Sequence, residues 1–287
     1  MPVRDRLIGP LVLLLACGCA STTPTAAQDP LPPDAESALD RLNSSPRHAE
    51  WSVVRTSEND SVRAWVVYPE TSEPAPVVLV VHEIYGLTNW VRAVADQLAA
   101  DGFIAIAPDL LTMKSVPVDS NGEPDRQQAT QQIRTLDAAD VHRQLSAVAE
   151  WGMALPAATD RYGIVGYCWG GSTSFRHAVE SDEVDAAVVY YGSSPDTTLL
   201  GRIEAPVLGL YGGNDERVNA TIPAAQRTME ALGKTYDVHV FDGAGHGFLR
   251  QQSGQEGANA EATRQAWPLT IQFFREHLHE QGGAVRR

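Results

Sequence analysis

From residue 49 onward, short apolar runs alternate with longer amphipathic stretches, and this alternation limits the possible folds of the 287-residue chain more than any other feature. The run PVVLVVHE (76–83) is almost continuously apolar, as expected of a strand buried on both faces. FIAIAP (103–108), YGIVGY (162–167), AAVVYYG (186–192) and PVLGLYG (206–212) read the same way, and YDVHVFDG (236–243) closes the series. WSVVRT (51–56) and VRAWVVYP (62–69), joined by the turn SEND, form an antiparallel pair at the start. Helical patterns fall between the strands, over 89–100, 124–151, 170–180, 220–233 and 258–280. In the first of these, Val91, Val94, Ala95 and Leu98 share one side and Asp101-Gly102 is the stop signal. The stretch 124–151 reads as the longest helix. Strands alternating with helices predict an α/β fold: a mostly parallel eight-stranded sheet with helices on both faces, in one domain over 49–282.

The segments before that domain read differently. Arg4 and Arg6, followed by the short apolar stretch LIGPLVLLLA, predict a signal peptide over 1–20 rather than a membrane span. The two cysteines of LLLACGCAST fit a lipoprotein signal, with either Cys19 or Cys17 as the lipidated residue. Plain secretion after cleavage beyond Ala20 is the alternative. The chain is therefore expected to be exported, either held in the cell envelope by a lipid anchor or secreted. Residues 21–48, rich in Pro, Thr and Ala, read as a flexible tether with one helical turn around Ala35 to Leu42. The net charge of −14 argues against nucleic-acid binding and against contact with anionic lipid surfaces other than through the anchor.

Once the signal cysteines are set aside, Cys168 is the remaining thiol, without an intrachain disulfide partner. It stands in GYCWGG (166–171), between a predicted strand and a predicted helix. A sharp strand-to-helix turn of this kind needs Gly166 and Gly170 for close packing and presents the middle side chain at the carboxyl edge of the sheet. The N–H groups of the following helix favour a thiolate, and the Trp169 N–H is a candidate oxyanion donor. A nucleophilic thiol needs a base, and the base an orienting acid. Two later loops supply them after successive strands: YGGNDERV (211–218) carries Asp215, and DGAGHGFLR (242–250) carries His246. Asp242 is the alternative acid. His82 reads as a packing or hydrogen-bonding residue. His277 and His279, two apart on a helix, point away from each other, so no metal site is expected. The polar loop 112–126 is expected to rim the pocket or to be an idle surface loop.

These motifs, in this order, resemble the dienelactone hydrolase (carboxymethylenebutenolidase) family of the α/β-hydrolase superfamily. GYCWGG resembles the family's elbow, GGNDERV its acid loop, AGHGFLR its histidine loop and HEIYGL (82–87) its oxyanion loop. The resemblance implies an ester or lactone hydrolase with a Cys168-Asp215-His246 triad, an acyl-enzyme, and no cofactor. It implies that Glu83 contacts the resting thiol and holds it protonated, and that the Ile84 N–H is the second oxyanion donor. It also implies that Arg250 binds a substrate carboxylate. The family's other carboxylate-binding arginine aligns with Met113, next to Lys114. Tyr85 and Lys114 complete the substrate-side candidates. The expected partner is a small-molecule ester or lactone, and the chain is expected to act as a monomer. Two other readings stay open: a thioester or small-amide hydrolase on the same triad, and an envelope lipoprotein that uses the fold only for binding.

Overall fold

The structure, a computed structural model, describes residues 31–279. The predicted signal peptide, Cys17, Cys19 and residues 21–30 lie outside the described residues. Eight strands form one sheet in the order β1-β2-β4-β3-β5-β6-β7-β8. They are β1 (Ala49–Ser57), β2 (Asp60–Val67), β3 (Ala75–Val81), β4 (Ile104–Asp109), β5 (Ala158–Tyr167), β6 (Ala186–Tyr190), β7 (Val207–Gly212) and β8 (Tyr236–Phe241). β2 runs antiparallel to both β1 and β4, and every other pairing is parallel. All residues of β3, β6 and β7 are buried, the reason their sequences show no polar alternation.

The period of two along β3 divides the core into two layers. Val78 and Val80 point into one, with Trp90 and Val94 of α2 (Asn89–Ala100) and Phe274 of α8 (Ala258–Leu278). Val77, Leu79 and Val81 point into the other, with Leu145 of α4 (Ala138–Met153), Phe175 of α5 (Trp169–Glu180) and Met229 of α7 (Ile222–Ala231).

Two predicted elements differ. The helix expected over 124–151 is two helices, α3 (Arg126–Ile133) and α4. Asp137 breaks it by capping α4: its Oδ1 accepts from the N–H groups of Ala139 (2.9 Å) and Asp140 (3.2 Å). An aspartate offers the backbone this alternative, and it overrides the apolar periodicity on either side. Likewise the stretch before α7 opens with a separate turn, α6 (Glu216–Asn219), capped by Asp215.

The expected flexible tether over 21–48 is a packed strap from residue 31 onward, with a short helix α1 (Ala38–Ser44) lying on α2. Its prolines lack N–H groups but keep their carbonyls, and these serve as acceptors for the domain. The Trp90 indole N–H donates to Pro33 O (3.0 Å) and the Gln252 amide to Pro32 O (2.9 Å). The Ala35 N–H donates to Arg250 O (3.0 Å). At the end of the strap, Arg47 and Asp96 form an ion pair at 2.6 Å with both side chains nearly inaccessible. Removing one member of such a pair strands the other. Arg47→Ala is therefore expected to lower stability by about 3 kcal/mol, measured by urea unfolding, whereas a loose tether would show no change.

Candidate active site

Cys168 occupies the turn between β5 and α5 with φ 57° and ψ −113°, a conformation that side chains other than glycine rarely adopt. The surrounding glycines hold it there. A Cβ on Gly166 would lie 1.9 Å from the Gly170 carbonyl oxygen, and one on Gly170 would lie 2.3 Å from Val81 O. A Cβ on Gly171 would meet Tyr190 O at 2.5 Å. The elbow is thus pressed against β3 and β6 by main chain on main chain. The Cys168 N–H donates to Tyr190 O (3.1 Å), and its own carbonyl accepts from the Ser172 N–H (3.1 Å), starting the helix.

The acid and histidine loops, which follow β7 and β8, meet each other. The Asn214 N–H donates to Ala244 O (2.9 Å) and its side-chain amide to Gly243 O (2.9 Å), so the two loops are stitched together. Gly243 and Gly247 both adopt positive φ, allowing the loop to double back around His246. Asp215 is buried and accepts the Val218 N–H at Oδ1 (3.4 Å). Its Oδ2 lies 2.5 Å from His246 Nδ1. That bond puts the proton on Nδ1 and leaves Nε2, the other edge of a one-third exposed ring, as the acceptor. Asp242, the alternative acid, is exposed and makes no such contact.

Glu83 is the electrostatic hub. It is buried, and it acts on the Cys168 thiol, on His246, on Arg250 and on Arg126. Burial raises its carboxyl above the usual range, and the Arg250 cation opposes that rise. Arg250 Nε lies 2.6 Å from Glu83 Oε2, but the N–H is turned off the line, so the contact is an ion pair rather than an aligned hydrogen bond. The thiol is pushed up to about 11, first by burial and then by the Glu83 charge, while the Trp169 N–H facing the sulfur pulls the other way. The thiol stays protonated through neutral pH, so alkylation by iodoacetamide should accelerate with pH toward a midpoint near 11. Glu83→Gln should shift that midpoint down and speed alkylation at pH 8 several-fold, read by mass spectrometry. An unchanged rate would remove Glu83 from control of the thiol.

The turn 83–86 is fixed by the Gly86 N–H donating to Glu83 O (3.2 Å), with Gly86 at φ +77°. His82 braces it from beneath. Its Nδ1–H donates to Glu83 O (2.8 Å), and its Nε2 accepts from the Leu110 N–H (3.3 Å). Full burial pushes the ring's proton affinity down, keeping this neutral tautomer. His82 also stacks on the Trp169 ring at 5.6 Å. Ile84 and Trp169 pack on the same small cluster of Leu111, Ala129 and Ile133, which brings their backbone segments together beside the elbow.

On the substrate side the structure gathers Tyr85 and Arg250 but not Lys114. Lys114 ends a 3-10 turn (Thr112–Lys114), its N–H bonded to Leu111 O, and among the described residues it makes no contact with Tyr85, Glu83 or Arg250. The cation brought there is Arg126. Its guanidinium lies 5.1 Å from the Tyr85 ring centroid, and that of Arg250 lies 5.3 Å from the same centroid. The two arginines line a cleft of about 190 Å³ together with Tyr85, Glu123 and the strap residues Ala35 and Leu39. Arg126 was not singled out from sequence because it opens a helix far from every motif. Tyr167 and Tyr191 were also missed. They are fully buried near Glu83, with hydroxyls that have no hydrogen-bond partner among the described residues, and the Tyr191 ring lies 5.2 Å from His246. The loop 112–126 is folded rather than idle. Asp119 Oδ1 accepts from the N–H groups of Asn121 and Glu123, and Glu123 Oε2 caps α2 through the Asn89 N–H (2.8 Å).

A sheet of this order with β2 reversed, bearing a strained thiol at the β5–α5 elbow and an Asp–His pair on the loops after β7 and β8, defines an α/β-hydrolase. The profile of the dienelactone hydrolase family matches residues 62–278, and the chain belongs to that family. It is 32% identical over 195 residues to the carboxymethylenebutenolidase of Pseudomonas putida, covering 66% of this chain and 81% of that protein. Among solved structures it resembles a dienelactone hydrolase-like promiscuous phosphotriesterase from metagenomic libraries (TM-score 0.70, 23% identity, 81% of this chain and 99% of that one). It also resembles a dienelactone hydrolase from Anabaena variabilis (TM-score 0.60, 23% identity, 81% and 99%). The protein is a dienelactone hydrolase-like hydrolase.

Proposed function

We propose that this hydrolase cleaves small esters or lactones through an acyl-enzyme on Cys168, acting as a monomer and without a cofactor. The observation that carries the reading is the Asp215–His246 bond of 2.5 Å together with a thiol held in a positive-φ elbow, Glu83 acting on both the imidazole and the thiol. His246 Nε2 takes the thiol proton as sulfur attacks the carbonyl carbon, and the C=O electron pair moves to oxygen. The N–H groups of Ile84 and Trp169 stabilise that oxyanion. Collapse expels the alkoxide, which takes the proton from His246. Water, deprotonated by His246, then attacks the thioester carbon; collapse breaks the C–S bond, releases the acid, and returns the proton from His246 to the Cys168 thiolate. Asp215 holds the imidazole in the tautomer that makes Nε2 basic. In the resting enzyme the Glu83 charge keeps the thiol protonated. A substrate carboxylate seated between Arg250 and Arg126 competes with Glu83 for Arg250.

The test is hydrolysis of an aryl acetate, a neutral lactone and a lactone bearing a carboxylate. Wild type is expected to turn over at least one. Arg126→Met should lower kcat/KM for the carboxylate-bearing lactone about tenfold more than for the neutral one, the scale of a charge-assisted hydrogen bond. A folded wild type inactive on all three overturns the esterase reading, and an equal effect of Arg126→Met on both lactones removes the carboxylate preference. We also propose that the enzyme works on the exported side of the membrane, held by lipid on Cys19 or Cys17 or released after cleavage. The support is the charged and apolar pattern of residues 1–20.

A further inference from the structure

A cavity of about 300 Å³ lies between α4 and α5, on the side of the elbow away from the arginine cleft. Its apolar walls are Leu136, Val141, Leu145 and Trp169, with His142 and His177 on its polar side. The volume is at the lower end of the range of small-molecule sites, and mostly apolar walls with a few directed polar groups are what such sites share. The charged residue on the lining is Arg176, and it is paired with Glu180 at 2.8 Å. Two of the wall hydroxyls already bond to backbone: Ser172 Oγ accepts from the Ser193 N–H, and Thr173 Oγ1 donates to Trp169 O, while Ser193 and Ser194 supply two more, with Ser194 Oγ buried. Burial keeps both histidines neutral, with His177 pushed down to about 3. The cavity therefore offers no net charge to a ligand.

A chain of buried hydrogen bonds runs up to its surface. His142 Nδ1 and His177 Nδ1 are 2.9 Å apart, so one of the two carries the proton between them. His177 Nε2 is 3.2 Å from the Tyr162 hydroxyl, which is 3.2 Å from Ser181 Oγ, which accepts from the Glu183 N–H at 3.2 Å. One direction of donation gives every buried proton an acceptor. The Glu183 N–H donates to Ser181 Oγ, the Ser181 hydroxyl to Tyr162, the Tyr162 phenol to His177 Nε2, and the His177 Nδ1–H to His142 Nδ1. Reversing the chain makes Ser181 a double acceptor and leaves its own proton unpaired beneath the surface, which buried hydroxyls avoid. It would also make imidazole donate to phenol, the weaker direction given their acidities. His142 Nδ1 is thus an acceptor, and the proton of this neutral ring is on Nε2, the ring edge away from His177.

From the cavity's apolar walls, its lack of unpaired charge and the His142 ring on its lining, whose proton the hydrogen-bond chain assigns to Nε2, we infer a binding site for a small, neutral, mainly apolar molecule carrying one hydrogen-bond acceptor, such as an aryl or alkyl carbonyl compound. The site is separate from the reaction assigned to Cys168 and stands whether or not that assignment holds. Trp169, which lines the cavity and follows the thiol in sequence, makes the two neighbours.

The test uses two probes of the same shape, acetophenone and α-methylstyrene, which differ in having C=O or C=CH₂. Their binding to the purified chain is followed by ligand-observed NMR. Wild type is expected to bind acetophenone with a Kd of about 1 mM or below, within the per-atom limit for so small a ligand. His142→Phe keeps an aromatic ring and removes the donor. It should shift the ketone-to-alkene ratio of Kd about tenfold against the ketone, the scale of one hydrogen bond lost to an unpaired group. Ala138→Trp, at an exposed position that also lines the cavity, should weaken both probes. The inference is overturned by wild type that does not bind acetophenone at several millimolar. It is equally overturned by a ratio that does not move in His142→Phe, or by a folded Ala138→Trp protein that binds both probes as wild type does. Each readout is equilibrium binding, so none depends on whether the protein hydrolyses an ester.

Discussion

Cys168→Ala is expected to lower the turnover of a small aryl acetate by about 10⁴-fold or more, the scale of nucleophile deletions in acyl-transfer triads. The loss should fall on kcat, because the sulfur forms a bond in the reaction and contributes little to holding an unreacted ester. The fold should be untouched. The elbow is set by glycine backbones packing on Val81, His82 and Tyr190, and alanine adopts the same φ at a similar cost to cysteine. Circular dichroism and the thermal midpoint serve as the check. A folded Cys168→Ala protein keeping a tenth of wild-type activity would place the reaction elsewhere. The burst of alcohol release expected when an acyl-enzyme accumulates should vanish with the thiol.

The second large effect is on folding. Gly166→Ala should destabilise the domain by about 4 kcal/mol or more, enough to make it insoluble or unfolded at 37 °C. The added methyl would sit 1.9 Å from Gly170 O and 2.3 Å from Gly170 C, both of them backbone atoms of α5. Neither atom can rotate away. Relief requires moving α5 off the sheet or moving β5, and Gly166 is paired with Val81 on one side and Val189 on the other. Gly201→Ala is the control: its nearest contact is a flexible leucine methyl at 3.9 Å, and its cost should stay within about 0.5 kcal/mol. Equal urea midpoints for the two variants would show that α5 can yield at the elbow.

These two residues were legible because the information about them is local. A glycine two before and two after a candidate nucleophile, between an apolar run and a helical pattern, specifies the turn without knowledge of the rest of the chain. The central strands were legible for a related reason, since burial on both faces leaves an unbroken apolar run. Asp215 and His246 could be placed because each follows a strand, and parallel strands deliver their carboxyl ends to one edge. What escaped depends on distance. Arg126 reaches Tyr85 because α3 folds back over the 83–86 turn, and no local pattern encodes that return. Lys114 looked suitable by its nearness to the aligned position, but the 3-10 turn places it apart from Tyr85 and Arg250. The strap looked loose because prolines exclude helix and sheet ladders. Their carbonyls still accept, and only the donors of buried Trp90 and half-buried Gln252 reveal what those carbonyls serve. The break before α4 lay within a helical period, where a single aspartate cap outweighed the pattern.

The strap also has a mechanical meaning. It is fastened at Pro32 and Ala35 to the stretch 250–252 and forms one wall of the arginine cleft. A pull on the leading end of the chain therefore reaches the Arg250 carbonyl before it loads any strand of the sheet. The first described residues of the strap and the cleft therefore share one side of the molecule, and strap and cleft move as one unit.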